Sequence, residues 1–417
     1  MIKKPITVLL FLFLSFSFLS DYVLASGYKL PEQSGNSLAL SGAYIANSRG
    51  PDTAYYNPAN MIWEDSLSEF EINVYYIYLS KVDFKGTVGG IAGDTKSNEE
   101  HFFIPNIFYL FPKWQNFRLG VSLVAPFGLS KRWPDEPAKT SAGNFTLKVI
   151  EFNPTFAYRI NNKFSIGGGV RGIYSDAKVF SEGVTTAFGS PAVVRREVRG
   201  DSIDIGYNLA VAYRSLDNLK MGLIYRSEVE PTIEGNATLS ETFTATSYRG
   251  KTNVRIALPA SLIFGIAFSF YKTTVEFVFD RTFWSSFADL DFDYESMLSS
   301  TLKTLFDDPV RKNWKDVNAY RLGVTHECSD TGFTLMAGFA YDENPVPKKT
   351  LGFELPDSDS IILSTGINFK ATKKLSLGVS YLHSRKLKRN VIDNDGRING
   401  AFKAWAQGLL VSVGYNL

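Results

Sequence analysis

The sequence has little cysteine and histidine, and it has no long apolar run beyond its first 25 residues. One cysteine, Cys328, occurs among 417 residues, so no internal disulfide can form and the cysteine content does not indicate a compartment. The three histidines, His101, His326 and His383, are far apart and lack the spacing of a metal site. After residue 25, no stretch of about 18 apolar residues is present, which excludes membrane-spanning helices. The formal net charge of +2 gives no indication of nucleic-acid binding.

Aromatic residues and glycine are abundant instead. The chain contains 33 Phe, 21 Tyr and 33 Gly, and aromatic residues make up 14% of it. A length of 417 residues suffices for two or three soluble domains or for one large barrel. This composition is typical of a transmembrane β-barrel, which needs aromatic girdles at the membrane interfaces and small residues in its lumen.

Residues 1–25 have the pattern of a secretory signal peptide. Lys3 and Lys4 form a basic start, residues 6–19 are mostly apolar, and residues 23–25 (Val-Leu-Ala) offer a cleavage site. Cleavage at this site predicts Ser26 as the mature N-terminus. The alternative is an uncleaved membrane anchor, which fits less well because the apolar run is shorter than the roughly 20 residues of a spanning helix.

Long segments after residue 65 alternate between apolar residues and small or polar ones. Every second residue from Phe117 to Phe127 is apolar, whereas Arg118 and Ser122 lie on the opposite face. The same period recurs in residues 203–214, 333–342 and 404–417. A period of two places each strand between two different environments, and small residues on one face leave room for a plug or a passage. A membrane barrel explains the pattern best, because closure pairs every backbone group in lipid.

Short and long connections alternate between these segments, as expected of periplasmic turns and outer loops. The short connections lie at residues 112–116, 161–163, 215–218, 329–331 and 371–373. The long ones lie at residues 85–100, 128–142, 181–195, 232–250, 285–312, 343–357 and 386–399. We therefore predict an all-β fold, a transmembrane antiparallel β-barrel of about 14 strands, an even number as bacterial barrels require. The barrel would occupy residues 66–417 of a multi-pass protein of the bacterial outer membrane, with both termini in the periplasm.

Residues 26–65 are rich in Gly, Ala, Ser and Asn and lack the alternation. Small residues allow helices and turns to pack in a confined space such as a barrel lumen. We therefore predict that this segment is a plug. Asn57 and Pro58, followed by Ala59, are predicted to form a turn that anchors the plug to the first strand, because Pro fixes its φ and Asn bonds to neighbouring backbone.

Four motifs in this segment resemble a known family. They are Ser26-Gly27-Tyr28, Glu32-Gln33-Ser34, Gly42-Ala43-Tyr44 and Tyr56-Asn57-Pro58-Ala59. Together they resemble the N-terminal hatch of FadL-type outer-membrane transporters, which take up long-chain fatty acids or aromatic hydrocarbons. Further blocks in the family's order begin at Leu258, Trp284, Asn313, Gly338 and Leu355. The final residue, Leu417, departs from the aromatic residue that usually ends such barrels.

The resemblance implies passive transport of a long-chain fatty acid or another hydrophobic small molecule, without catalytic residues, metal or cofactor. A shift of the plug N-terminus would open a route sideways into the membrane, since water in a straight channel opposes an apolar solute. The expected gating residues are Ser26, Gly27, Tyr28, Glu32, Gln33 and Ser34. The first three of them are expected to be held by no core and therefore able to move when a ligand enters.

Two other functions stay open at this stage: an outer-membrane lipase or esterase, and a structural or adhesive barrel without transport. Gly200-Asp201-Ser202 resembles the start of an esterase motif, but the serine would need a histidine and a third partner. Gly167, Gly169 and Gly172 match the spacing of a dinucleotide fingerprint. Because they lie in an alternating strand, we interpret them as positions where the strand bends or the plug approaches.

Two features of the outer loops suggest partners. Met297, Leu298, Leu302, Leu305 and Phe306 recur at helical spacing, which predicts a loop helix that forms an apolar landing site for an acyl chain or simply covers the rim. Basic residues cluster at 131–132, 195–196, 348–349 and 385–389. They are either solvated, or pair with lipopolysaccharide phosphates, or attract a carboxylate ligand. The expected partners are a hydrophobic ligand and outer-membrane lipid, and the chain is expected to be a monomer.

Overall fold

In the computed structural model, fourteen antiparallel strands close into a barrel. The structure describes residues 27–187, 190–216, 218–328 and 331–417, so the predicted signal peptide and Ser26 lie outside the described residues. The barrel strands are β1 (Glu69–Leu79), β2 (Glu100–Leu110), β3 (Phe117–Arg132), β4 (Asn144–Arg159), β5 (Phe164–Ala187), β6 (Ser190–Leu216), β7 (Leu219–Arg226), β8 (Ser261–Phe270), β9 (Thr273–Thr282), β10 (Val317–Glu327), β11 (Phe333–Asp342), β12 (Ser360–Lys370), β13 (Leu375–Lys386) and β14 (Trp405–Asn416). Each strand pairs with the next, and β14 pairs with β1 from Glu69↔Asn416 to Leu79↔Ala406. The predicted fold class and strand number are confirmed.

The two faces of each strand meet different environments. On β6, Ile203 and Leu209 are 81% and 56% exposed on the outside, whereas Asn208 and Ala210 are buried in the lumen. On β14, Leu409 and Val413 also point outward. A band of exposed apolar side chains around a barrel is stable because it faces lipid. The predicted alternation is therefore confirmed on these strands.

The segment from Gly27 to Trp63 crosses the lumen. It contains α1 (Gly35–Ala39), α2 (Thr53–Tyr56) and a 3-10 helix (Pro58–Trp63). The first helix contacts β11 to β14, whereas the 3-10 helix contacts β3 to β6 on another side of the barrel. The approach is close: a Cβ atom on Gly167 of β5 would lie 2.6 Å from the backbone nitrogen of Ala59. The interpretation of Gly167 as a residue that admits the N-terminal segment is confirmed.

Two predicted outer loops are strands instead. β5 continues to Ala187, β6 begins at Ser190, and the two pair up to these residues as a long hairpin. Residues 232–250 contribute to strands Thr232–Glu241 and Ser247–Arg255, and the first of these pairs with the outer part of β6. Alternation persists there, since Val194 and Val198 are buried. Their burial in an apolar core above the membrane stabilises strands that extend beyond the bilayer.

Short elements cover the outer end of the barrel. One sheet combines Asp83–Val88, Ile91–Ala92, Thr95–Lys96, Arg389–Val391 and Ile398–Lys403. Phe292–Tyr294 pairs with Ser247–Arg255, and Asp289–Leu290 pairs with Val310–Arg311. The helical elements are α3 (Lys139–Ala142), a 3-10 turn (Trp284–Ser286) and α4 (Ser300–Phe306). None of the helices in the described ranges is long and apolar enough to span a membrane.

Candidate functional site: the inner N-terminal strand and an unpaired part of the barrel wall

The barrel wall is incompletely paired between β2 and β3. Their ladder has four residue pairs and ends at Ile107↔Leu123, although the strands contain 11 and 16 residues. The two sides meet again at the outer end, where the N–H of Asn98 donates to the carbonyl of Arg132 at 2.8 Å. We call the unpaired stretch between these points the wall gap; it is bordered by residues 101–106 of β2 and 124–131 of β3.

A bulge in β3 lies at the wall gap. The register against β4 shifts between Val124 and Phe127, so Ala125 and Pro126 together stand opposite Ile150. Because of the extra residue, Phe127 turns into the barrel, where it is 6% exposed. The alternation alone predicts Phe127 on the lipid face, and that prediction is wrong because one inserted residue reverses the faces beyond it.

The N-terminal segment lies along the inside of the wall gap like an added strand. The N–H of Leu30 donates to the carbonyl of Pro126 at 2.8 Å. The side-chain amide of Gln33 donates to the carbonyl of Ala125 at 3.0 Å and accepts its N–H at 3.1 Å. From β2, the amide of Asn106 donates to the Gln33 carbonyl at 2.7 Å. Gln33 therefore satisfies the backbone N–H and carbonyl of Ala125 on β3, and its own carbonyl is bound by a side chain of β2.

Tyr28 is held in an aromatic core. Its side chain is 4% exposed, its hydroxyl donates to the carbonyl of Ala257, and its ring lies edge-on to Trp284 with the centroids 4.7 Å apart. We call the surrounding rings the Tyr28 cage; they are Phe127, Trp284, Phe287 and Trp314. Such edge-on contacts add to the hydrophobic gain of burial. The expectation that no core holds Tyr28 is therefore wrong.

Gly27 fits tightly against the same rings. Its φ is +65°, and a Cβ atom would lie 2.9 Å from the rings of both Trp284 and Trp314, so glycine is required here. Its N–H donates to the carboxylate of Asp357 at 3.0 Å. Gly27 is thus held as Tyr28 is, while Ser26 lies outside the described residues.

Buried ion pairs attach the following residues to β9 and β10, across the lumen from the wall gap. The Lys29 ammonium lies 2.9 Å from the carboxylate of Asp280. The guanidinium of Arg321 donates to Glu32 at 3.4 Å and to Asp342 at 3.1 Å. All five side chains are shielded from solvent. Mutual pairing offsets the cost of burying them, so separating any one from its partner is unfavourable.

The remaining predicted residues of the segment are helix caps. Ser34 caps α1 and accepts the N–H of Ser37 at 3.3 Å. Asn57 caps the 3-10 helix that begins at Pro58, and its side chain accepts the N–H of Ala59 at 3.2 Å. The Asn57 amide also donates to the carbonyl of Val211 on β6 at 3.4 Å. The structure thus places the predicted anchor at a helix cap that touches the barrel wall.

A carboxylate of the wall holds the middle of the segment. Glu276 on β9 accepts the backbone N–H groups of Ile45 and Ala46 at 2.6 Å each, and that of Asn47 at 3.1 Å. Charge-assisted hydrogen bonds are about twice as strong as neutral ones. The middle of the segment is therefore firmly attached, and its contacts differ in kind from the aromatic contacts of Tyr28.

A narrow apolar crevice borders the Tyr28 cage, and a second crevice adjoins the first. One has a free volume of only about 20 Å³; its lining combines Tyr28 and Trp314 with Leu129, Phe145, Leu147, Ile256, Phe287, Leu290, Leu355 and one charged pair, Lys312 and Glu354. The other, of about 10 Å³, shares Phe145, Ile256 and Leu290 with the first. An apolar molecule could fill this space most readily by displacing Tyr28. A separate space at the periplasmic end is lined by many charged residues, including Arg49, Glu327 and Lys370.

The predicted landing-site residues face mainly inward. Helical structure is confirmed for Leu302, Leu305 and Phe306, which lie in α4. Leu302 is 1% exposed, while Leu298 and Phe306 pack against the apolar cluster that contains Tyr28. Met297 is fully exposed. This geometry favours a helix that covers the rim, and a landing site stays a prediction that centres on Met297.

Many of the outer basic residues have acidic partners. Ion pairs join Arg132 to Glu100, Arg195 to Glu182, Lys349 to Asp395 and Lys386 to Asp357. Arg196 instead places its guanidinium over the ring of Phe292 at 5.0 Å. These cations therefore stabilise the outer loops, and binding to lipopolysaccharide stays a prediction.

The residues considered for enzymatic chemistry have other contacts. The Ser202 hydroxyl donates to Asp204 at 2.8 Å. His101 bonds with Tyr76 at 2.8 Å and His326 with Thr273 at 2.9 Å. Among the described residues, no group of three His, Cys, Asp or Glu side chains is placed to hold a metal ion.

Several residues of this site were missed by sequence reasoning. Trp284, Trp314, Lys312 and Glu354 come from two outer loops about 250 to 330 positions away from Tyr28, and only barrel closure brings them together. Pro126 did carry a signal, because proline inside an apparent strand marks an edge or a bulge.

Comparisons with known proteins agree on one family. Residues 16–417 match the family described as "Outer membrane protein transport protein (OMPP1/FadL/TodX)". The chain is 26% identical to the long-chain fatty acid transport protein of Escherichia coli K12 over 442 residues, which covers 94% of each protein. It is 25% identical to outer membrane protein P1 of Haemophilus influenzae, over 68% of this chain and 67% of that protein.

Solved structures of two related proteins superpose on this chain. A FadL homologue of Pseudomonas aeruginosa superposes with a TM-score of 0.82 at 17% identity, over 94% of this chain and all of that one. The toluene transporter TbuX of Ralstonia pickettii gives a TM-score of 0.71 at 18% identity, over 93% and 99% of the two chains. At these identities the similarity establishes the fold.

Proposed function

Because this chain belongs to the OMPP1/FadL/TodX family of outer-membrane transport proteins, we propose that it carries hydrophobic compounds passively across the outer membrane. The family consists of transport channels, so the chain is a transporter and not an enzyme. Its relatives are named as transporters of long-chain fatty acids and of toluene. We propose the same broad class of ligand here: long-chain fatty acids or hydrocarbons.

The position of Tyr28 carries the proposal. Its ring fills a cage of four aromatic residues and lines the crevice that an apolar molecule would enter. A ligand of comparable apolar surface can replace the ring and recover the burial energy that the ring loses, about 25 cal/mol per Å². Ligand and Tyr28 therefore compete for one space, and entry of the ligand displaces the N-terminus.

Displacement of the N-terminus would then open the wall gap. Tyr28 is two residues from Leu30, whose N–H bonds to Pro126, and five residues from Gln33, which bonds to β3 and receives a bond from Asn106. When these bonds are released, an apolar ligand can leave sideways between β2 and β3 into lipid. A straight path is unfavourable because the segment fills the lumen and because water opposes an apolar solute.

The other expected partners are part of this proposal. The barrel closes within one chain, which supports a monomer. Met297, which is fully exposed beside α4, is a first contact for an arriving apolar molecule. Lipopolysaccharide would meet exposed basic residues of the outer strands, among them Arg199.

Deleting residues 27–30 tests the proposed function. The deletion removes the ring and the Leu30 bond but leaves every barrel strand, so we expect a heat-modifiable barrel with altered uptake of labelled oleate and dodecane. Uptake is measured in cells that lack their own transporter. Ile91→Ser serves as a control, because Ile91 is 76% exposed on an outer strand and far from the crevice. If the deletion left uptake of both compounds unchanged, gating by the N-terminus would be wrong.

A further inference from the structure

One charged pair faces the crevice beside Tyr28. Lys312 and Glu354 are the charged residues among its lining side chains, and their ammonium and carboxylate form an ion pair with each other. The Lys312 side chain is 5% exposed and the Glu354 side chain 20%. The Lys312 ammonium, which would otherwise attract a ligand carboxylate into the crevice, is therefore already paired with Glu354.

The local backbone positions both members of this ion pair. Glu354 folds back over Gly352, and the missing Cβ atom at that position leaves the space that its carboxylate occupies. Lys312 is fixed from its backbone, since its N–H donates to Ala288 at 2.7 Å and its carbonyl accepts from Thr350 at 2.5 Å. The pair is thus built into two adjoining loops.

The neighbouring cation, Arg196, does not take the place of Lys312 as a partner for a ligand carboxylate in the crevice. Arg196 lies beyond Glu354 and outside the crevice lining, with its guanidinium over the rings of Phe292 and Phe306. Burial alone would raise the pKa of the Glu354 carboxyl, but Lys312, with Arg196 behind it, holds that pKa below its ordinary value. Glu354 is therefore ionised and repels a second carboxylate.

The buried indole N–H of Trp314, which also lines the crevice, has no hydrogen-bond acceptor among the described residues. Such a donor can serve an uncharged acceptor on a ligand, for example an ester carbonyl.

We propose that this transporter selects uncharged hydrophobic molecules over free fatty acids, and that Glu354 sets the preference by occupying Lys312. The inference rests on the proposed function and specifies its ligand. A carboxylate entering the crevice would lose its hydration without gaining a free cation and would lie next to Glu354, which is unfavourable on both counts. An alkane, an ester or an aromatic hydrocarbon is uncharged, so it neither loses the hydration of a charge nor is repelled by Glu354.

Oleate and methyl oleate provide a matched pair of probes that differ in charge. Their dissociation constants are measured by tryptophan fluorescence, because Trp314 lines the crevice and Trp284 packs against Trp314. The protein is held in lipid nanodiscs at about pH 8, well above the ordinary pKa of a carboxyl. We expect the native protein to bind methyl oleate more tightly than oleate. Glu354→Gln frees Lys312 and should strengthen oleate binding by roughly ten- to a hundredfold, the range for one added charge-assisted hydrogen bond, with little change for methyl oleate.

Two further variants separate this effect from others. Lys312→Met combined with Glu354→Gln should bind methyl oleate and show no gain for oleate, because no ammonium remains. Asp395→Asn removes an outer carboxylate whose partner Lys349 lies 3.8 Å away on the surface, and it should behave as the native protein does.

The role of Glu354 would be overturned if the native protein preferred oleate. It would also be overturned if Glu354→Gln left the oleate affinity unchanged, or if the double variant raised that affinity as much as Glu354→Gln does. If neither probe bound the native protein, the proposed function would fail as well, so the two failures are distinguishable.

Discussion

A single aromatic side chain, Tyr28, fills the space for which, in the proposed mechanism, the ligand competes. Deleting a buried aromatic ring costs about 3–5 kcal/mol in an ordinary core, whereas losing one neutral hydrogen bond costs about 1 kcal/mol. Tyr28→Phe keeps the ring and loses only the bond to Ala257. The ring is therefore the main reason that the N-terminus stays seated.

We expect Tyr28→Ala to raise the affinity for a hydrophobic ligand, since the ligand no longer has to displace a ring, and Tyr28→Phe to change it little. The affinities of both variants for methyl oleate are measured by the change in tryptophan fluorescence on binding. Heat-modifiability of the barrel on gels is the control for assembly. Equal affinities in the native protein and in Tyr28→Ala would show that the ring does not compete with the ligand.

The lipid-facing positions lead to a second prediction at this scale. Val211 is 40% exposed on the membrane part of β6, where an Arg at the bilayer midplane costs about 2–4 kcal/mol. Val193 is 45% exposed on the same strand near its outer hairpin. We expect Val211→Arg to lower the yield of folded barrel sharply and Val193→Arg to leave it nearly unchanged. Similar yields for the two variants would contradict the placement of the membrane along β6.

At the scale of elements, the bulge in β3 is linked to the wall gap. Deleting Ala125 removes the extra residue opposite Ile150, so β3 can continue its ladder with β4 in regular register, and the bonds from Gln33 to Ala125 are lost. We expect this deletion to keep the barrel folded and to reduce uptake of dodecane by closing the sideways route. Deleting Asn162, in the turn between β4 and β5, is the matched control. Normal uptake after loss of Ala125 would argue for a route through the lumen.

The same elements show how far the sequence could be read. Alternation along β6 and β14 predicted which side chains face lipid, because a period of two is a local property of a strand. The face of Phe127 was mispredicted, since the bulge that reverses it depends on β4 and on the N-terminal segment. The Tyr28 cage could not be predicted for a similar reason. Phe127 lies on β3, Trp284 and Phe287 share one turn, and Trp314 precedes β10, so these rings meet Tyr28 only after the barrel closes.

At the scale of the whole molecule, the barrel and its inner segment have different kinds of stability. The barrel is closed by ladders between all fourteen neighbouring strand pairs, although the ladder between β2 and β3 is short, and ladder bonds inside lipid are protected from water. The inner segment is held instead by side-chain packing against the lumen face, for example by Leu38 and Met61. Polar attachments add to this packing, among them Glu276 and the buried ion pairs of Lys29 and Arg321. Because these contacts are separate from the ladders that close the barrel, the proposed displacement of the N-terminus would leave the barrel intact.

This difference predicts a selective leak. In Asn57→Ala combined with Pro58→Ala, the cap of the 3-10 helix and the contact with Val211 are lost, but no barrel strand is touched. In liposomes that contain only this protein, we expect the native chain to deliver dodecane without an energy source and to exclude glucose, because the segment crosses the lumen and contacts strands on different sides of the barrel. The double variant should admit glucose, measured by liposome swelling, because the segment loses its attachment to β6. Tyr28→Ala should not admit glucose, since Asn57 and Glu276 still hold the middle of the segment.

If Tyr28→Ala leaked glucose as strongly as the double variant, the N-terminus and the rest of the segment would move as one body. A sideways exit through the wall gap would then no longer be needed to explain transport.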